Sequence, residues 1–139
     1  MSSFKRFAIY SLSFFSLLLG LALGENSSGG ARIDFEYLFP YVEGFSLSFK
    51  NGMESYTSNT ASIIHSPIFY ILMSFIYKLT DNTIPTIIFY IFLCSFLPLI
   101  FFFILRDKFR INKDVLFIFS LIIFLSPYFR SSAIWLLGD

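Results

Sequence analysis

The chain has 139 residues, of which 56% are hydrophobic and only 14% are charged, and its mean hydropathy is +0.74. A soluble domain of this length has too large a surface-to-volume ratio to bury so much apolar surface, so the composition indicates an integral membrane protein. The net charge of +1 and the absence of a long basic run argue against a nucleic-acid partner.

The first element is an apolar run over residues 7–23, preceded by Lys5 and Arg6. Its length is close to the minimum for a membrane-spanning helix. It suits a signal anchor that stays as the first membrane helix, and it also suits a cleaved signal peptide, because residues 22–24 form an acceptable small-x-small site. The apolar runs downstream favour the anchor. In both cases the two cations predict a cytoplasmic N-terminus and place residue 25 onward on the outer face.

Residues 25–62 form a polar outer loop that holds five of the nine acidic residues. From Ile33 to Phe49, apolar residues recur every three to four positions. This spacing predicts a short amphipathic helix on the membrane surface, interrupted near Pro40 and Gly44. Asn51-Gly52 predicts a turn, and the segment after it, rich in Ser, Thr and Asn, predicts a loop.

Three more apolar runs follow, at residues 65–79, 84–105 and 115–127. Ser66-Pro67 predicts the start of the first, since serine caps helices and proline suits the first helical turn. The second is long enough to span a membrane, and Pro98 within it predicts a kink. We therefore expect an all-α polytopic membrane protein, a single module over residues 1–139, with three to four membrane helices and a short amphipathic juxtamembrane helix.

The basic segment at residues 106–114 constrains the topology, since it carries four cations and two anions. Strict alternation of crossings would put it outside, against the positive-inside rule. If residues 65–79 lie along the outer face or dip into it, the basic segment returns to the cytoplasm. Asp139 then returns to the outer face beside Asp34, and we expect this second arrangement.

Asp34 and Glu36 are the candidate catalytic residues, just outside the first membrane helix. A carboxylate there can act as general base toward a hydroxyl acceptor or bind a metal, although acids also simply solvate loops. His65 lies where the loop meets the membrane, where it either contacts a phosphate or is an ordinary interfacial residue. The candidate cations for binding a lipid phosphate are Lys50, Arg32 and Arg130. Each of them could instead be an ordinary interfacial residue that extends its charged end toward water.

The sequence lacks the residues that several classes of enzyme require. The chain has one histidine and one cysteine, and no glycine-rich phosphate loop. These absences argue against a zinc enzyme, a Ser-His-Asp hydrolase and a kinase, and no metal site is predicted. Cys94 lies in an apolar run, so we expect it to be a small packing residue.

Four motifs in order complete the pattern. They are Asp34-Phe35-Glu36-Tyr37, His65-Ser66-Pro67-Ile68-Phe69-Tyr70, Arg106 at the end of an apolar run, and Ser126-Pro127 followed by Asp139. Their order resembles the N-terminal part of the multi-spanning GT-C glycosyltransferases, which use polyprenyl-phosphate sugars. Members of this class include the protein O-mannosyltransferases and the aminoarabinose transferase of lipid A.

The resemblance implies that Asp34 is the catalytic base and that Asp139 is a second acid of the site. It further implies a polyprenyl-phosphate sugar donor, a membrane-lipid setting and a hydroxyl acceptor of unknown identity, with a divalent metal compatible but not specified. The chain would then be part of a longer enzyme and inactive alone. The alternative is a small non-enzymatic helical membrane protein, such as a scaffold or assembly subunit.

Overall fold

The computed structural model describes residues 1–58, 66–109 and 111–137, and within these ranges it contains helices and no strand. The predicted all-α class is therefore confirmed. The seven α-helices are α1 (Ser3–Ala22), α2 (Ala31–Leu47), α3 (Phe49–Ser58), α4 (Pro67–Thr80), α5 (Thr83–Lys108), α6 (Lys113–Leu121) and α7 (Pro127–Ile134). A 3-10 turn, Ile122–Leu125, lies between α6 and α7.

Side-chain oxygens cap the starts of most helices. Such a cap satisfies one of the backbone N–H groups that the first helical turn leaves without a partner. Ser66 accepts from the backbone N–H of Ile68, and Pro67 is the first residue of α4, so the start predicted by Ser66-Pro67 is confirmed. The other capping side chains are Ser2 for α1, Ser48 for α3, Asn82 for α5, Asn112 for α6 and Ser126 for α7.

Two helices, α1 and α5, are long and apolar enough to cross a membrane, with 20 and 26 residues. A third candidate is the bent pair formed by α6 with its 3-10 turn and α7, which meet at 65°. The bend lies at Ser126, whose backbone is extended because a proline follows it. The helix predicted over 115–127 is thus divided. α5 is continuous through the buried Pro98, and the kink expected there stays a prediction.

An ion pair and a hydrogen bond between side chains and distant parts of the chain show the relative directions of these helices. Arg6 near the start of α1 binds Asp114 near the start of α6 at 2.8 Å, so α1 and α6 begin at the same end. Tyr90, early in α5, donates to the carbonyl of Leu137, just after α7, at 2.6 Å. The start of α5 therefore lies where α7 ends, and α5 runs antiparallel to α1 and α6. The end where α1 and α6 begin and α5 finishes, called the basic end, carries Lys5, Arg6, Arg106, Lys108 and Lys113.

The opposite, distal end carries a second unit built from α2, α3 and α4. The predicted amphipathic helix exists as α2, but it runs unbroken through Pro40 and Gly44. The turn predicted at Asn51-Gly52 is wrong, because both residues lie inside α3, and the loop predicted after it is helical to Ser58. Residues 59–65 lie outside the described part of the chain.

Two glycines explain why the turn prediction failed. A Cβ on Gly52 would lie 2.1 Å from Cδ1 of Phe45, and a Cβ on Gly44 would lie 3.2 Å from Cα of Gly52. Gly52 thus lets the backbone of α3 approach the Phe45 ring of α2, rather than reversing the chain direction.

Aromatic side chains hold α4 against α2 and fix the unit to the long helices. The rings of Tyr41 and Tyr70 meet edge-on, with centroids 5.2 Å apart. Phe69 of α4 packs on Tyr90 of α5 with centroids 5.2 Å apart. Aromatic pairs in this edge-on geometry add to the free energy gained by burial.

We expect Gly52→Ala to lower the free energy of unfolding by about 1–3 kcal/mol, because the added methyl group overlaps the Phe45 ring. In an ordinary helix the same change is stabilising by about 0.5–1 kcal/mol, so the sign of the effect is diagnostic. Thermal unfolding followed by helical circular dichroism in detergent measures it. The exposed neighbour Asn51→Ala is the control and should change stability by less than about 0.5 kcal/mol. A Gly52→Ala protein at least as stable as wild type would refute the close packing.

Candidate functional site

Arg130 of α7 makes more hydrogen bonds than any other side chain in the described part of the chain. Its Nε donates to Oε1 of Glu25 at 2.7 Å, and its Nη2 donates to Oε2 of the same carboxylate. Nη1 donates to Oγ of Ser16 at 3.0 Å and to the carbonyl of Phe124 at 3.2 Å, and Nη2 also reaches the carbonyl of Ser16. A guanidinium has five N–H donors, and five acceptors surround this one.

This network joins three parts of the chain. Ser16 lies in α1, Glu25 follows α1, and Phe124 lies in the 3-10 turn before α7. The side chains of Arg130 and Glu25 are only 17% and 22% exposed, so water screens the pair weakly. The hydrogen bond from Arg130 holds the pKa of the Glu25 carboxyl below its ordinary value, against the opposing effect of desolvation.

Further bonds fix the segment between α1 and α2 onto α7. The indole N–H of Trp135 donates to the carbonyl of Glu25 at 2.6 Å. The backbone N–H of Ser28 donates to Oγ of Ser131 at 3.0 Å, and the hydroxyls of Ser27 and Ser131 lie 3.3 Å apart. The start of α2 is therefore positioned by the end of α7.

Asp34 lies in the first turn of α2 at this distal end, and it is exposed. A negative side chain in the first turn is stabilised by the helix dipole. No residue in the described ranges forms a hydrogen bond or ion pair with its carboxylate. Among the described acidic residues, Asp81 is the other one in this condition.

Glu36 does not form a carboxylate pair with Asp34. Two positions on a helix differ by roughly 200° around its axis, so the two side chains leave α2 in different directions. Glu36 instead accepts from Nε of Arg32 at 3.2 Å, one helical turn away. The guanidinium of Arg32 also lies 5.5 Å from the centre of the Trp135 ring, a cation–π distance.

The cations predicted to bind a lipid phosphate have separate partners. Lys50 on α3 is exposed and lies 3.8 Å from Glu54, one turn away. Arg130 has every N–H donor directed at a protein acceptor, so binding a phosphate would require the Glu25 pair to open. His65 and Asp139 lie outside the described residues, and their predicted roles stay predictions.

Sequence reasoning missed Glu25, Ser16 and Trp135. One signal was available: an arginine inside an apolar, membrane-length segment requires a partner, and Glu25 is an acid at the end of such a segment. In the described part of the chain, no group of three His, Cys, Asp or Glu side chains is placed to hold a metal ion. The exposed Asp34 carboxylate, which has no partner in the described ranges, could accept a proton from a bound hydroxyl.

Comparison with known proteins adds no relative. The chain matches no protein-family model, no curated protein and no solved structure.

Breaking the Arg130 network should destabilise the protein. We expect Arg130→Ala to lower the free energy of unfolding by about 2–3 kcal/mol, because it leaves the weakly hydrated Glu25 carboxylate without its charged donors. Urea titration of the purified protein in detergent measures the change. The control Lys50→Ala removes a pair whose side chains are 84% and 67% exposed, and should change it by less than about 0.5 kcal/mol. Equal effects of the two substitutions would contradict the structural role of Arg130.

The Glu25 carboxylate should also make stability depend on pH. Its pKa is lowered in the folded state from 4.5, so the folded state binds fewer protons than the unfolded state near and below that pH. The stabilisation is fully present above pH 4.5 and is lost as pH falls through the lowered pKa. Wild type should exceed Glu25→Gln in stability at neutral pH, with the difference shrinking below pH 4.5. A difference that stays constant on acidification would exclude this ionised pair.

Proposed function

We propose that the chain is the membrane-embedded N-terminal part of a GT-C-like glycosyltransferase, with Asp34 as the base that deprotonates the acceptor hydroxyl. The order of motifs supports the class, from Asp34-Phe35-Glu36-Tyr37 through Ser66-Pro67 to Ser126-Pro127. The accompanying polyprenyl-phosphate donor, the hydroxyl acceptor and the part played by Asp139 are carried by that resemblance alone.

The observation that carries the proposal is the free carboxylate of Asp34. A general base needs an oxygen that is available to the proton it abstracts. The acids near it are already engaged: Glu25 binds Arg130, Glu36 binds Arg32, and Glu43 accepts from the hydroxyl of Tyr77 at 3.3 Å. Asp34 combines availability with a position fixed by the segment that Trp135 and Ser131 hold.

The proposed topology has three crossings, formed by α1, α5 and the bent α6–α7 pair. Their directions bring Lys5 and Arg6 to the same end as Arg106, Lys108 and Lys113. Cations in short loops favour the cytoplasmic side, which supports a cytoplasmic N-terminus and basic end. The distal end, with Asp34, then lies at the outer face.

The proposed reaction uses few groups of this chain. The acceptor oxygen forms a bond to the anomeric carbon of the sugar while the bond from that carbon to the phosphate oxygen breaks, releasing a polyprenyl phosphate. The acceptor proton moves to Asp34. The phosphate that leaves carries negative charge, which a cation stabilises.

A non-enzymatic role is the second candidate, and a groove between α5 and α6 favours it. The groove has a volume of about 410 Å³ and is lined almost wholly by apolar side chains, including Leu97, Phe101 and Phe119. It offers no acid or base, and it suits contact with lipid or another membrane helix. An assembly subunit would need such surfaces and no free carboxylate.

Substituting Asp34 separates the two candidates. The experiment uses membranes prepared from cells that express the full reading frame. Asp34→Asn should reduce sugar transfer from polyprenyl-phosphate sugars by about 10²–10⁴-fold, the usual contribution of a general base. Transfer of radiolabelled sugar to endogenous acceptors is the measurement. Asp81→Asn is the matched control, since it neutralises the other acid that has no partner among the described residues and should leave transfer unchanged. Normal transfer by the Asp34→Asn protein would remove this residue from the mechanism, and absence of transfer by wild type would favour the assembly subunit.

A further inference from the structure

Helix α4 has two unlike faces. One face packs on α2 and is buried, with Tyr70, Met73 and Ser74 at 4% exposure or less. The other face carries large apolar side chains spaced four, three and four residues apart, which places them in one row along the helix. This α4 stripe consists of Ile68, Leu72, Phe75 and Leu79, which are between 55% and 83% exposed.

The stripe continues onto the corner where α2 meets α3. Leu47 and Phe49 at this corner are 74% and 67% exposed. Phe49 and Phe75 line one small cavity of about 220 Å³, so the corner and the stripe are neighbours. Contiguous exposed apolar surface of this extent marks an interaction site, because water solvates it poorly.

The length of α4 over the described residues argues against a full crossing. Fourteen residues make a helix of about 21 Å, whereas the hydrocarbon layer is about 30 Å thick. Only Asp81 and Asn82 separate α4 from α5, so the end of α4 lies beside the start of a candidate membrane span. The start of α4 is deeper, because Phe69 packs on Tyr90, which is about 10 Å along α5 from its first residue Thr83.

The charges near the stripe fit a lipid surface. Lys78 is exposed and lies between Phe75 and Leu79 near the shallow end of α4. A lysine in this position can place its aliphatic stem on acyl chains and its ammonium group among phosphate headgroups. Asp81, the nearest acid in sequence, lies beyond the stripe in the turn toward α5.

We propose that α4 is a re-entrant element that dips into the distal leaflet, with the α4 stripe and the Leu47–Phe49 corner in contact with lipid acyl chains. The proposal rests on the membrane placement of α5 and not on transferase activity. The acyl chains of that leaflet are the occupant because the surface is continuous with a candidate span. A second copy of the chain carries the same row, so packing of two copies is tested below as the competing occupant, whereas water solvates this apolar surface poorly.

Spin labelling in lipid vesicles tests this placement. Single cysteines replace Ile68, Leu72, Phe75 and Leu79 in a Cys94→Ser background, and each labelled protein is reconstituted into phosphatidylethanolamine–phosphatidylglycerol vesicles. Collision rates of the label with oxygen and with a water-soluble nickel chelate are measured. Ile100→Cys, on the exposed apolar face of α5, is the lipid control, and Glu54→Cys, 67% exposed on α3, is the water control.

We expect all four stripe labels to collide with oxygen more than with nickel, as at position 100. We also expect the oxygen-to-nickel ratio to fall steadily from position 68 to position 79, because α4 rises toward the surface. Nickel access equal to that of Glu54→Cys would overturn the proposal. So would a ratio that peaks in mid-helix, which indicates a full crossing, or strong spin–spin broadening, which indicates packing of two copies. A water-exposed label at position 100 would instead contradict the membrane placement of α5.

Discussion

The rest of the arrangement follows from one constraint: every N–H donor of the Arg130 guanidinium must have a hydrogen-bond acceptor. Arg130 lies between apolar helices, where an unpaired charge is very unfavourable, so each of its N–H donors requires an acceptor. Those acceptors come from α1, from the segment after it and from the 3-10 turn before α7. Meeting this requirement sets α1 alongside α7 and draws Glu25 onto the same surface. Trp135 and Ser131 then hold the backbone that follows, and the start of α2, with Asp34, is positioned as a consequence.

The remaining unit depends on close packing rather than on charge. α2 and α3 approach each other because Gly52 has no side chain, and α4 covers α2 through a cluster of tyrosines. The unit leaves a free carboxylate at one edge and an apolar row along α4. Both features are understandable if the distal end meets a membrane surface, where polar chemistry and acyl chains lie only a few ångströms apart.

Local signals were sufficient to predict much of the fold. The apolar run after Lys5 and Arg6, the Ser66-Pro67 pair and the long run ending before Arg106 predicted α1, α4 and α5, because capping and hydrophobicity act over a few residues. Asn51-Gly52 misled, since a glycine that permits close packing and one that permits a turn look identical in sequence. The sequence indicates that Arg130 needs an acidic partner but does not identify it, because Glu25 is 105 residues away and tertiary packing brings it near. For the candidate site, sequence reasoning proposed Asp34 but did not predict the residues that position it.

A disulfide cross-link tests the central junction most directly. The hydroxyls of Ser27 and Ser131 lie 3.3 Å apart, a separation compatible with joining the side chains of two cysteines. In a Cys94→Ser background, Ser27→Cys with Ser131→Cys should cross-link rapidly within one chain when intact membranes are treated with a mild oxidant. Ser58→Cys with Ser131→Cys serves as the control pair. Efficient intramolecular cross-linking of the first pair alone is the expected result. Cross-linking that is absent, or that forms only between copies, would contradict the placement of the segment after α1 on α7.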